Sequence, residues 1–198
     1  MRKSIVVFSL ILVVSLSAAA QKSEVGIVAG GKMTSDGTSP VTGKTTVNTA
    51  FAFEVNYATQ LISLKAAALE LNIPLLAVPT SEINTSNLFT AKSYSSIYLT
   101  PGVRVRLGTV LSPYVEAGVG FVRFGPSSTT LGGTPSGATS STKAAFHVGG
   151  GVDLRPSKSP VGFRFEAKEL YTGVPDLAIP RLSLHNNVFL GGGIVLRF

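Results

Sequence analysis

Few residues in this 198-residue chain could do catalytic or metal chemistry, because it has two histidines and no cysteine. Disulfides and a Cys-anchored lipid are thereby excluded, as is a zinc site with Cys and His ligands. No metal or cofactor site is expected. Ser183 and His185 form the one pairing of hydroxyl and imidazole. Such a pair acts as nucleophile and base only when a third group orients the imidazole, and no acidic residue is an obvious neighbour. The segment GTSPVTGKTT, residues 37–46, approaches a phosphate-binding loop, but that motif needs Gly five residues before Gly43, where this chain has Thr38, and a helix must follow. Asn84, Thr85 and Ser86 match a glycosylation acceptor, to which we attach no meaning in a predicted loop.

Charge is more informative. The chain holds 17 basic and 10 acidic residues, with Lys and Arg scattered singly and not gathered into a patch, which argues against a nucleic-acid partner. Within alternating segments, Glu54, Glu116, Asp153 and Glu166 face Arg104, Arg106, Arg164 and Arg197, four of each sign. Gly102, Gly118, Gly120, Gly149 and Gly151 belong to the same polar rows. A balanced set suits a narrow enclosed lumen, where an unpaired ion costs several kcal/mol, and glycines there leave room for Arg. His147 lies on such a row and reads as a member of this charge network, not as a ligand.

The elements that position these rows are strands. Period-two alternation predicts eight, near residues 24–33, 49–58, 61–78, 93–107, 112–124, 143–154, 161–171 and 185–198. In the fourth, Ile97, Leu99, Val103, Val105 and Leu107 alternate with Ser96, Tyr98, Thr100, Gly102, Arg104 and Arg106, so one face is apolar. Phe51, Phe53, Val55 and Tyr57 do the same in the second strand, and Val161, Phe163 and Phe165 in the seventh. Long polar connections (34–48, 79–92, 125–142, 172–184) alternate with tight turns near 59–60, 108–111 and 155–160. Segregated loops of this kind are expected of an antiparallel barrel in a membrane. The stretch QLISLKAAALEL, residues 60–71, has a composition that suits a helix as well as a strand. Its phase slips at Ala66–Ala68, which predicts a bulge there.

The first residues read as a secretory signal peptide over residues 1–20: Arg2 and Lys3, an apolar run from Ile5 to Leu16, then small residues presenting Ala18 and Ala20. Twelve apolar residues are too few for a spanning helix, which needs about 20. One domain is expected over 21–198, exported by the signal peptide.

At the other end Val188, Leu190, Gly192, Ile194, Leu196 and Phe198 alternate to a terminal aromatic. This ending resembles the last strand of bacterial outer-membrane proteins. The segments YSSIYLTPGVRVRL (Tyr94–Leu107), SPYVEAGVGFVRF (Ser112–Phe124), FHVGGGVDLR (Phe146–Arg155) and NVFLGGGIVLRF resemble the eight-stranded barrels of the outer-membrane protein A and X type. The resemblance implies an all-β, up-and-down transmembrane barrel, monomeric, in contact with outer-membrane lipid and lipopolysaccharide. It also implies that Phe198, Leu196, Ile194 and Leu190 are read by the barrel-assembly machinery. Some barrels of this type deacylate lipid A with a Ser, His and Glu set near the rim. Ser183 and His185 are where such an activity would sit, but without the acid the expectation is a non-enzymatic barrel. A secreted soluble barrel that binds a small ligand is the remaining alternative.

Overall fold

Alternating segments leave every backbone group to be paired between strands, and a closed sheet satisfies them all. The computed structural model describes residues 22–34, 37–39, 43–85, 92–126, 140–156, 159–172 and 186–198. The predicted signal peptide therefore lies outside the described residues, as do Ser183 and His185.

The strands are β1 (Ser23–Thr34), β2 (Gly37–Ser39), β3 (Gly43–Val47), β4 (Ala50–Ser63), β5 (Ala67–Thr85), β6 (Lys92–Leu99), β7 (Gly102–Leu107), β8 (Leu111–Pro126), β9 (Ser141–Leu154), β10 (Val161–Thr172) and β11 (Asn186–Arg197). Antiparallel pairing runs β5, β4, β1, β11, β10, β9, β8, then through β6 and β7 back to β5, which closes the sheet. β6 and β7 share both neighbours and act as one stave, interrupted at Pro101, which has no N–H for the ladder and whose carbonyl accepts from Val119 N at 3.0 Å. Eight staves result. The short β2–β3 hairpin extends this sheet from β5 and occupies the segment that approached a phosphate-binding loop, with no helix following it.

The termini meet. Ser23 N donates to Phe198 O at 3.1 Å and Phe198 N to Ser23 O at 3.0 Å. At that end lie the strand ends joined by the short connections 64–66, 108–110 and 155–160, and the strand ends that bound the long connections lie at the other, as expected.

One connection differs from expectation. The turn predicted at 59–60 lies at Lys65–Ala66, where Leu64 N donates to Ala67 O at 2.8 Å. The phase slip read as a bulge at Ala66–Ala68 is the hairpin reversal itself. The bulge falls earlier, because Gln60 pairs Glu70 and Ile62 pairs Leu69, leaving Leu61 unpaired. A turn without Gly, Asn or Pro gives no compositional mark. A second irregularity lies in β5 between Val78 and Ser81, and β5 continues through the predicted loop as far as Thr85. At the second short turn Gly108 adopts φ +75°, a left-handed conformation that glycine takes without strain.

The two faces of the wall are opposite in chemistry. Phe51 (64% exposed), Val119 (70%), Phe163, Phe165, Ile97 and Leu196 stand on the outside, while Glu54, Arg104, Glu116, Asp153, Arg164 and Glu166 are buried within. A continuous exposed apolar belt of this kind requires a hydrocarbon surround. Among the described residues no helix is long and apolar enough to cross a membrane.

Candidate functional site: the lumen

Inward positions recur at every second residue, so the lumen is a stack of side chains from all eight staves. Six acids (Glu24, Glu54, Glu70, Glu116, Asp153, Glu166) and six bases (Lys32, Arg104, Arg106, Arg155, Arg164, Lys168) are buried in it.

The layer nearest the termini centres on Glu24 of β1. Its carboxylate accepts from Arg104 at 3.1 Å, Arg106 at 2.6 Å, Arg155 at 2.6 Å and Arg164 at 2.7 Å. Asp153 accepts from Arg164 Nε and Nη2, both at 2.8 Å, and from Arg155. Glu70 binds Arg106 at 2.6 Å. Charge-assisted bonds of this length are the strong kind.

The next layer centres on Lys168 of β10. Its ammonium lies 2.5 Å from Glu54, 2.9 Å from Glu116 and 3.4 Å from Glu166. Glu116 also binds Arg104 at 2.7 Å and accepts from Asn72 at 3.0 Å, which joins the two layers. Tyr114 donates to Glu166 at 3.0 Å, and its ring lies 4.3 Å from the Arg104 guanidinium and 5.1 Å from that of Arg164, within cation–π range. Gly151 makes this possible: a Cβ there would stand 2.7 Å from the Tyr114 hydroxyl. His147 Nδ1 lies 2.9 Å from Thr100 Oγ1, and Nε2 lies 3.7 Å from Glu116.

Above the ions the chemistry changes. Val28, Leu76, Val78, Tyr94, Tyr98, Val122, Phe124, Leu170 and Phe189 fill the lumen on the long-loop side, with Tyr94 and Phe124 edge to face at 5.9 Å. Lys32 sits toward the long-loop end of β1, donating to Asn187 at 3.3 Å and Tyr94 at 3.5 Å, with no carboxylate partner among the described residues.

Of the eight residues predicted to form the charge network, Glu54, Arg104, Arg106, Glu116, Asp153, Arg164 and Glu166 are brought together. Arg197 is not: it is half-buried at the rim and donates to Ser159 O at 3.2 Å, because β11 ends there. Glu24, Glu70, Arg155 and Lys168 were missed. Lys168 lies two residues beyond Glu166 and was recoverable by continuing the alternation. Glu24 opens a strand whose faces alternation left unassigned, Glu70 lies in the stretch of ambiguous phase, and Arg155 reads as turn. No group of His, Cys, Asp and Glu able to hold a metal occurs among the described residues.

This architecture is shared with solved membrane proteins. The chain is similar to the attachment invasion locus protein Ail of Yersinia pestis, solved with the heparin analogue sucrose octasulfate, at TM-score 0.53 and 16% identity, covering 90% of this chain and 99% of that one. It is similar to Neisserial surface protein A at TM-score 0.57 and 12% identity, covering 89% and 97%. The outer membrane enzyme PagL is more distant in structure, at TM-score 0.44 and 12% identity, covering 87% and 98%. No curated protein sequence matches. The model of the outer membrane protein beta-barrel domain matches residues 6–192, nearly the whole chain, and the chain belongs to that family.

Proposed function

We propose that the protein is a sealed, non-enzymatic barrel of the bacterial outer membrane whose role lies in its long surface connections and in the integrity of the membrane. The observation that carries this reading is the double filling of the lumen. Two layers of ion pairs stand beneath an apolar layer, and their side chains are buried. An eight-stave interior is only just wide enough for side chains, and removing one charge would leave its buried partner uncompensated. Export by residues 1–20, a monomeric state, contact with lipid and lipopolysaccharide at the apolar belt, and recognition of Leu190, Ile194, Leu196 and Phe198 by the assembly machinery belong to the same reading.

The purified barrel in planar bilayers is expected to give no stable step of nanosiemens size. Appearance of such a step would refute closure. The same preparation is expected to migrate faster unheated than boiled on gels, as a closed barrel does.

A further inference from the structure

On the outer wall, Val119 of β8, Phe146 of β9 and Tyr171 of β10 are partners in register, and all three belong to outward rows. The Phe146 and Tyr171 rings stack in parallel with their centroids 4.4 Å apart, so the three side chains make one firm ridge. The next rung toward the long connections is Gly120, Ala145 and Thr172. Gly120 has no side chain, Ala145 and Thr172 are buried on inward rows, and the next outward residue of β9, Ala144, reaches out by a methyl group alone. The wall therefore drops beside the ridge, into a depression of about 500 Å³ lined by both rungs and Ala144.

Its place on the wall fixes the chemistry of what fills it. The depression is continuous with the apolar belt, because the outward row of β8 runs through Val115, Ala117, Val119 and Phe121 before its first charge, the exposed Arg123. Phe121 pairs Ala144 and Arg123 pairs Thr142, so Arg123 stands one outward step, about 7 Å of strand, beyond the depression on the side of the long connections. A long basic side chain at the edge of an apolar belt keeps its head at the membrane surface. Glu169, the outward acid of β8 to β10 among the described residues, lies on the far side of the ridge, two residues before Tyr171. An apolar hollow with a cation at its upper margin matches a lipid, in which an anionic head and a hydrocarbon chain follow one another in that order.

We propose that this depression holds the first segment of an acyl chain of a lipid whose headgroup is a phosphate monoester, with the phosphate on Arg123. The chain lies against the backbone of Gly120 and the methyl of Ala144, flanked by the ridge, and the phosphate oxygens accept from the guanidinium at the surface. The site rests on the proposed reading of the apolar belt as a lipid contact, and narrows that contact to one place on the wall and one kind of headgroup.

The full barrel in phosphatidylcholine nanodiscs, with ¹³C-labelled Ala and Val methyl groups, tests this. Phosphatidic acid or phosphatidylcholine carrying a nitroxide near the carboxyl end of one chain is added, and methyl broadening is followed against its mole fraction. Phosphatidic acid is expected to broaden Ala144 and Val119 saturably, at a mole fraction about fivefold below that needed with phosphatidylcholine, the preference that one interfacial arginine supplies. Ala29 and Ala77, outward on β1 and β5, are expected to broaden in proportion to either lipid. Arg123→Gln is expected to remove the preference, and Ala144→Phe, read at Val119, to remove saturation. Both side chains face outward, so gel migration of the variants is expected to stay that of the wild type. Equal response to the two lipids at Ala144, lack of saturation there with phosphatidic acid, or a preference that survives Arg123→Gln overturns the site. Those results leave the barrel in its membrane, since Ala29 and Ala77 still broaden. Failure of all three alanines to broaden with either lipid overturns the lipid contact itself, and the site with it.

Discussion

Glu24 accepts from four guanidinium groups within 3.1 Å, so one carboxylate holds residues from β7, β10 and the turn after β9 against β1. Glu24→Gln keeps the shape and removes the charge, leaving an excess of buried cations. Uncompensated buried charge costs roughly 3–5 kcal/mol when one partner of a pair is deleted. Urea titration of the folded band on unheated gels is expected to show a loss of that size. Lys32 supplies the contrast, because it is buried but holds only Asn187 and Tyr94 at long range. Lys32→Met should change stability by less than about 1 kcal/mol or raise it, since removing a buried ion that has no counter-ion among the described residues also removes its desolvation cost. Equal losses in the two variants would contradict an ionic origin for the stability of the layer. Buried charges on one polypeptide therefore differ in worth according to what faces them across the lumen.

At the scale of the strand, side-chain direction follows parity, and that is why most of the charged set is legible in the sequence. Phe163, Arg164, Phe165 and Glu166 state both faces in four residues, and β10 obeys them throughout. Parity fails where a strand carries an extra residue. Leu61 is unpaired between Gln60 and Ile62, so Ile62 and Leu64 both stand exposed near the turn and the pattern reads as a helix or as a strand of broken phase. Nothing in Lys65–Ala66 marks a reversal, and Glu70 was lost to the reading with it. The apolar layer of the lumen was illegible for a related reason: Val28, Leu170 and Phe189 stand on the inward rows, where polarity alone predicts charges. Deleting Leu61 should be tolerated, because the strand regains regular pairing and every other side chain keeps its face. Deleting Val55 shifts parity for the rest of β4, turning Asn56 and Ala58 toward lipid. Refolding into micelles followed by gel migration is expected to recover a compact band for the first deletion and none for the second. A compact band in both cases would mean that the wall accommodates slips elsewhere.

For the molecule as a whole, the decisive contact is the seam between first and last staves. β1 and β11 pair from Glu24↔Arg197 to Thr34↔Asn187 without a break, and the mutual bonds of Ser23 and Phe198 finish the ring. The Phe198 side chain contributes little to this closure, for it is 64% exposed and points outward in the row of Leu190, Ile194 and Leu196, each exposed by nearly half. A residue whose backbone closes the sheet while its ring touches only surroundings has two separable jobs. Phe198→Ala retains the backbone bonds, so refolding of purified protein into micelles should proceed with stability within about 1 kcal/mol of the parent, the order expected when an exposed ring is truncated. In cells the same variant lacks the aromatic that we propose the assembly machinery reads, and pulse-chase fractionation is expected to show slower conversion to the heat-modifiable form. If refolding in micelles fails as well, the ring is required by the barrel itself. If assembly in cells is unaffected, recognition resides in the aliphatic row alone, which leaves the closed seam as the only role of the last residue.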